Sequence, residues 1–224
     1  MEKIIIAIDG PAGAGKSTIA KKLASLIDYI YIDTGAMYRA ITYKALSNNI
    51  DIYNDVLMGQ LTIESVIEFN SNKVLLDGED VTRKIRGKRV NQNVSQVSAL
   101  LSVRKELVHQ QRKIGSEKGV VMDGRDIGTV VFPQAELKLF VTASVHERAQ
   151  RRYEEKIKES ATDITLQEIE EELIIRDEKD SSRAISPLKK ANDAIILDTT
   201  NLTQEESVNI IYNYYLKLVQ VKND

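Results

Sequence analysis

The sequence predicts an α/β fold: a five-stranded parallel sheet flanked by helices, with a small antiparallel β insert and a helical hairpin. Three observations carry that expectation. Short apolar runs at Ile4–Ile8, Tyr29–Ile32, Gly119–Met122, Leu137–Val141 and Ala194–Leu197 alternate with segments of helical character. A glycine-rich turn, Gly10-Pro11-Ala12-Gly13-Ala14-Gly15-Lys16-Ser17-Thr18, joins the first run to the first helix. From about Leu61 to Val81 the pattern changes to short β segments separated by Asn-Ser-Asn and Asp-Gly turns.

The first run and its turn organise the chain. GxxxxGK[ST] is the phosphate-binding loop: its glycines let successive N–H groups point into one concavity, Lys16 brings charge to the β- and γ-phosphates, and Ser17 offers a hydroxyl to Mg²⁺. The following helix, with apolar positions 19, 20, 23, 26 and 27 on one face, aims its positive N-terminus at the same anion. A chance glycine turn would not need both the strand before it and the helix after it.

At 224 residues the chain has room for one large domain with a sub-domain. Its 31 Lys and Arg against 33 Asp and Glu, net charge -2, give no support to a nucleic-acid or anionic-membrane partner. It has no cysteine, which excludes disulfides, zinc thiolates and a Cys nucleophile. The first apolar run is too short for a signal-peptide core, and no run reaches the ~18 residues of a membrane span. A soluble cytoplasmic monomer with small-molecule partners is the expectation.

The second run ends at Asp33-Thr34-Gly35 and leads into a helix over Ala36–Leu46. Polar residues where a parallel strand gives way to a helix are where open α/β sheets place ligands, so Asp33, Thr34 and Arg39 are candidates, with helix capping as their structural alternative. Within the insert region, Val66–Phe69 and Lys73–Leu76 read as antiparallel strands. The basic cluster Arg83, Lys84, Arg86, Lys88 and Arg89 reads as a solvated face or a guide for an anionic substrate. Ser95–Ile114 reads as one helix with Val97, Leu100, Leu101 and Val108 on a stripe that also holds Arg104. An arginine in an apolar seam needs a partner or must snorkel.

The third run enters Asp123-Gly124-Arg125-Asp126-Ile127-Gly128-Thr129, again a polar cluster at a strand end. His146–Arg183 contains 8 Lys and Arg against 12 Asp and Glu and reads as a solvated helical hairpin. Its loop falls at Glu159–Asp163, and Thr165-x-x-Glu168 is a capping box opening the second helix. Arg176, Asp180 and Arg183 share a face there, as a surface ion-pair ladder or as ligands. The last helix has a packing stripe, Val208, Ile211, Tyr212, Tyr215, Leu216 and Val219, capped by Thr203-x-x-Glu206.

Arginine excess is the clue to a second substrate. A phosphotransferase with a phosphorylated acceptor must hold two repelling polyanions in line, which takes more cations than water-accepting hydrolysis. Arg39, Arg125, Arg176 and Arg183, with Arg148, Arg151 and Arg152, suit that demand. A GTPase switch would carry an NKxD segment and an AAA-type ATPase a strand ending in Asp-Glu; neither is present.

Nearly end to end, the chain resembles the bacterial cytidylate kinases, the CMP/dCMP kinases among P-loop nucleoside monophosphate kinases. The matching segments are IDGPAGAGKST at 8–18, DTGAMYR at 33–39, SQVSALLSVR at 95–104, DGRDIGTVVFP at 123–133, RDEKDSSRA at 176–184 and PL at 187–188. Thr34 stands where some relatives carry Ser, and Lys179 where Arg occurs; both keep the donor chemistry. The resemblance implies a core of about 1–34, 95–145 and 184–224, an acceptor-binding region with the insert at about 35–94, and a lid at about 146–183. It implies ATP and Mg²⁺ on residues 10–18, with Ser17 toward the metal, and CMP or dCMP as acceptor. Thr34, Arg39, Arg125 and Arg183 would address the acceptor phosphate, Ser95, Arg104 and Asp126 the cytosine, and Arg176 and Asp180 the ribose side. Lys16, Arg125, Arg183, Arg148 and Arg152 would act in transfer, with Arg148, Arg151 and Arg152 near the lid over ATP. Asp123 and Asp33 both remain candidates for positioning the metal.

Overall fold

The computed structural model describes residues 3–70, 73–158 and 164–221. Its elements begin with β1 (Ile5–Asp9), α1 (Lys16–Leu26), β2 (Ile30–Asp33), α2 (Thr34–Ser47) and α3 (Asp55–Ile63). Three short strands follow, β3 (Ile67–Asn70), β4 (Lys73–Leu76) and β5 (Glu79–Asp80), then α4 (Lys88–Val97) and α5 (Leu101–Ile114). The chain continues through β6 (Val120–Gly124), β7 (Leu137–Thr142), α6 (Val145–Lys158), α7 (Leu166–Ser182), β8 (Ile195–Asp198) and α8 (Gln204–Val221). These elements form two compact units, Met1–Tyr31 with Glu117–Asp224, and Ile32–Ser116.

The first unit is built on a sheet of order β2-β6-β1-β7-β8, to which β2 contributes Ile30 and Tyr31 from this unit. Parallel pairing sets Ile5 opposite Val120 and Asp9 opposite Gly124 on one side of β1, and Ile6 opposite Leu137 on the other. All five residues of β1 are buried, which is why it reads as an unbroken apolar run rather than an alternating one. Ile4, Ile6 and Ile8 pack with Ile19, Ala20 and Leu23 of α1 and with Val208, Ile211, Tyr215 and Val219 of α8, the stripe that the sequence marks. The carboxyl ends of β1 and β6 thus lie side by side, each running into a polar loop, the position at which open α/β sheets bind ligands.

In the second unit, α2, α3, α4 and α5 share a core of Met37, Ile41, Met58, Leu61, Val97, Val103 and Leu107. The insert is a three-stranded antiparallel sheet, β3-β4-β5. Its third strand occupies residues that look like a turn in the sequence.

Two features differ from the sequence expectation, the break between α4 and α5 and the presence of α3. Ser95–Ile114 is not one helix: α4 ends at Val97, Leu100 takes an extended conformation and α5 restarts at Leu101. The break rotates the stripe, leaving Leu101 56% exposed while Val103, Leu107 and Val108 are buried. This segment lies in the compact unit Ile32–Ser116, its apolar face packed on α2 and α3. Finally, α3 has no forewarning beyond Asn54, whose side chain caps it by accepting from Leu57 N at 3.1 Å.

Candidate active site

At the end of β1 the backbone must turn sharply. Gly10 has φ of 150°, and a Cβ there would sit 1.9 Å from the carbonyl oxygen of Val141, so no other residue fits without moving β7. Gly15 caps α1 in the left-handed region, with φ of 81°, and Lys16 opens the helix. Pro11, Ala12 and Ala14 are buried while Ser17 and Thr18 face outward. The Lys16 ammonium donates to the carbonyl of Pro11 at 2.6 Å, which draws it back over the loop. Burial, and then the charge of Arg125, push Lys16 down to about 7, against the opposing pull of Asp123 and Asp9. An anion in the loop would restore its charge.

Ser17 Oγ donates to Asp123 Oδ2 at 2.9 Å, and the Tyr31 hydroxyl donates to Asp123 Oδ1 at 2.8 Å. The pair of a hydroxyl and a buried carboxylate supplies hard oxygen donors of the kind Mg²⁺ takes alongside nucleotide phosphates. Asp33, the other metal candidate, is occupied differently. It caps α2 by accepting from Ala36 N at 2.8 Å and holds Arg39 at 2.9 Å. The alternatives left open by the sequence therefore separate: Asp123 sits beside the loop serine, and Asp33 is a helix cap in the second unit.

Asp9 had no assigned role, yet it organises the loop after β6. Its two oxygens accept from the amides of Ile127 and Gly128, both at 2.7 Å, where the chain forms one π-helical turn, Ile127–Val131. Burial outweighs those two hydrogen bonds and raises the Asp9 carboxyl to about 6. Directly before this turn lie Arg125 and Asp126. Arg125 Nε donates to Asp180 Oδ2 at 2.8 Å, and Arg183, just past the end of α7, approaches Asp126 at 3.9 Å with both side chains buried. Burial opposes ionisation of Asp180, but Arg125, Arg176 and Arg183 outweigh it and hold its carboxyl below the ordinary range. Arg176, Asp180 and Arg183 are accordingly a charge cluster around Arg125, with Asp180 buried and the two arginines partly buried, rather than a solvated ladder.

The hairpin is less solvated than its composition suggests. Ala149, Ile169 and Leu173 pack with Ala12 of the loop, and the predicted Thr165–Glu168 capping box is present. Arg148 is buried, with Nε donating to Ala143 O at 3.1 Å and Nη1 to Ala12 O at 2.9 Å and Asp177 Oδ2 at 2.6 Å. Arg151 binds Glu147 and both oxygens of Thr199. Arg152 is half-buried on α6. The expected hairpin loop at 159–163 lies outside the described residues.

In the second unit, Thr34 is buried as the first residue of α2, and Arg39 lies along Asp33. Arg104 is buried too: its guanidinium lies 5.3 Å from the centre of the Tyr38 ring and donates to Ser98 O at 2.8 Å. Ser98 Oγ donates to Ser95 O at 3.0 Å, so the α4–α5 break brings Ser95 and Arg104 to one turn.

Residues 6–217 match the family model described as cytidylate kinase. This chain belongs to the cytidylate kinase family. The cytidylate kinase of Alkaliphilus oremlandii is 53% identical over 213 residues, covering 95% of this chain and 98% of its own. That of Caldanaerobacter subterraneus is 54% identical, covering 92% of each. In structure, shikimate kinase from Bacteroides thetaiotaomicron superposes with a TM-score of 0.50 at 13% identity, over 96% of this chain and 99% of that one, a likeness of fold alone. In this cytidylate kinase chain, the residue that sequence reasoning passed over is Asp9, because its partners lie 118 and 119 positions away. Only its polar character at the end of a buried strand could have marked it.

Proposed function

We propose that this chain transfers the γ-phosphoryl group of ATP to CMP or dCMP, releasing ADP and CDP or dCDP. The observation that carries the reading is the first unit's pairing of a phosphate loop, Lys16, Ser17 and Asp123, with a second cluster of cations, Arg125, Arg176 and Arg183, gathered at Asp180. A hydrolase needs only the first; a kinase with an anionic acceptor needs both.

In this reading residues 10–18 hold the ATP phosphates, with Ser17 and Asp123 holding Mg²⁺, directly or through water. Bound there, the metal neutralises charge on the β- and γ-phosphates. Lys16, drawn from Pro11 onto phosphate as the ammonium, offsets the negative charge that grows on the β-bridging oxygen as its bond to the γ-phosphorus breaks. An acceptor phosphate oxygen forms the new bond already ionised, so no general base is required. Arg125 and Arg183 spread charge from the transferring group, Asp180 fixes the plane of Arg125, and Arg176 with Asp180 faces the ribose side. Thr34 and Arg39 hold the acceptor phosphate, while Ser95, Arg104 and Asp126 read cytosine, whose N4 amino group donates where uracil accepts. Arg152 meets the ATP phosphates, and Arg148 holds the loop that binds them.

Coupled ADP release with CMP, dCMP, UMP and no acceptor tests the reading. Turnover with the cytosine nucleotides, weak turnover with UMP and little without acceptor is expected; ADP release independent of acceptor would make the chain an ATPase instead.

A further inference from the structure

We infer that Arg86, delivered by the antiparallel insert, is an additional ligand for the acceptor's phosphate monoester, and that holding it beside Arg39 is what the insert does. This deepens the acceptor reading and rests on it. Asp33 is shared by two arginines of the second unit. Its Oδ2 accepts from Arg39 Nη2 at 2.9 Å and also from Arg86 Nη2 at 3.3 Å, while Oδ1 caps α2 through Ala36 N. One carboxylate thus faces two guanidiniums at the start of a helix whose amide dipole has the same sign as theirs. Carboxylate and Arg39 are largely covered, with side-chain exposures of 11% and 13%, whereas Arg86 is 62% exposed.

Stability does not explain the second arginine. An exposed guanidinium on a carboxylate that already has a partner adds little to stability. The insert nevertheless fixes its backbone closely. Ile85, fully buried, packs with Val74, Leu76 and Val81 of the insert against Ala36 and Ala40, two small residues one turn apart that let the insert approach α2. Ile85 N donates to Val81 O at 3.0 Å, Arg86 N to Arg83 O at 3.1 Å, and Asn91 Nδ2 to Arg86 O at 2.7 Å. The residue is held on both sides while its side chain stays wet. Among the described residues its guanidinium gives one N–H to Asp33, which leaves further donors for a ligand, and a planar fork suits phosphate oxygens. Gly35 completes the arrangement: a Cβ there would come within 3.1 Å of Asp33 Oδ1 and 3.2 Å of Arg39 Nη1, crowding the guanidinium that Arg86 accompanies.

The test compares ligands that differ only in the phosphate. Full-length wild type and Arg86→Ala are titrated with CMP and with cytidine, and steady-state constants are measured for CMP and ATP. A charge-assisted contact of this kind is expected to be worth about 10- to 50-fold in CMP affinity. Cytidine affinity and KM for ATP should stay within about twofold, and Arg86→Lys, keeping the charge without the fork, should recover part of the loss. Equal weakening for CMP and cytidine would mean that Arg86 only supports the fold of the unit, and unchanged CMP affinity would remove it from the site; either overturns the inference. An increase confined to KM for ATP would do so as well. Should wild type prefer another nucleoside monophosphate, the cytosine reading fails separately. The same comparison, run with that monophosphate and its nucleoside, then decides Arg86.

Discussion

Ser17 and Asp123, 106 positions apart in sequence, are joined by a 2.9 Å hydrogen bond from the serine hydroxyl to the carboxylate. The bond sets the loop's serine hydroxyl beside a carboxylate at the end of β6. Asp123→Asn keeps an oxygen for Ser17 and removes the charge. It should lower kcat by about 10²- to 10³-fold and raise the Mg²⁺ concentration for half-maximal rate, with little change in KM for CMP. Magnesium titrations at fixed ATP check this. An unaltered Mg²⁺ dependence would reduce Asp123 to an anchor for Tyr31.

Lys16 is held at about 7 by burial and by Arg125, and binds Pro11 O at 2.6 Å. Its interaction with phosphate should grow as charge moves toward the leaving oxygen. Lys16→Ala is expected to reduce kcat by about 10²-fold or more while KM for CMP changes little. Steady-state kinetics alongside a thermal melt separate this from unfolding; near-normal turnover would remove Lys16 from the chemistry.

What was legible in the sequence was local. The phosphate loop, the Thr165 and Thr203 capping boxes and the α8 stripe each depend on residues within a few positions, and each is present. The parallel sheet was legible because β1 and β6 are buried on both faces and their runs are continuous. The α4–α5 break was not, since Ser98-Ala99-Leu100 contains neither Gly nor Pro and the kink is imposed by packing on α2 and α3. Nor was the division of labour among acidic residues. Asp9, Asp33 and Asp123 all end apolar strands: Asp33 caps α2 through Ala36, three residues on, a reading the sequence already offered, whereas the turn clamp of Asp9 and the contact of Asp123 with Ser17 depend on partners 118 and 106 positions away.

Asp126 precedes the turn that Asp9 clamps, and its side chain is buried. If it meets position 4 of the base, it attracts the amino group of cytosine and repels the carbonyl of uracil. Asp126→Ala should then depress kcat/KM for CMP by about 10²- to 10⁴-fold and for UMP far less, collapsing the ratio between them. Equal losses for both would assign Asp126 to orienting Arg183 instead.

Asp180 links pH to stability. Its folded carboxyl lies below the ordinary 3.8 because Arg125, Arg176 and Arg183 prevail over burial. The folded state therefore binds fewer protons than the unfolded one in the acid range. The stabilisation is present in full above the unfolded value and is lost as pH falls through the lowered one. Urea denaturation should show wild type exceeding Asp180→Asn by about 1–3 kcal/mol near pH 7, with the gap closing below pH 3.8. A gap independent of pH would point to packing rather than charge.

Arg148 separates a residue that holds the phosphate loop from one that acts on the transferring group. Its guanidinium reaches Ala143 O, Ala12 O and Asp177 Oδ2 at once, and the side chain is 4% exposed. Removing it leaves two carbonyls short of a donor and a carboxylate without its partner. Because Asp177 remains partly hydrated, the cost should fall at the lower end for a broken buried pair, about 3 kcal/mol. For a chain of this size that corresponds to a melting point roughly 6–12 °C lower in the nucleotide-free protein. Loosening Ala12 also frees the loop, so KM for ATP should rise more than KM for CMP. Arg148→Lys should restore little, since one ammonium on a flexible stem cannot span three acceptors fixed by β7, the loop and α7. Differential scanning calorimetry with steady-state kinetics on the same preparations decides the matter. A variant that melts like wild type yet loses kcat would place Arg148 on the phosphoryl group itself.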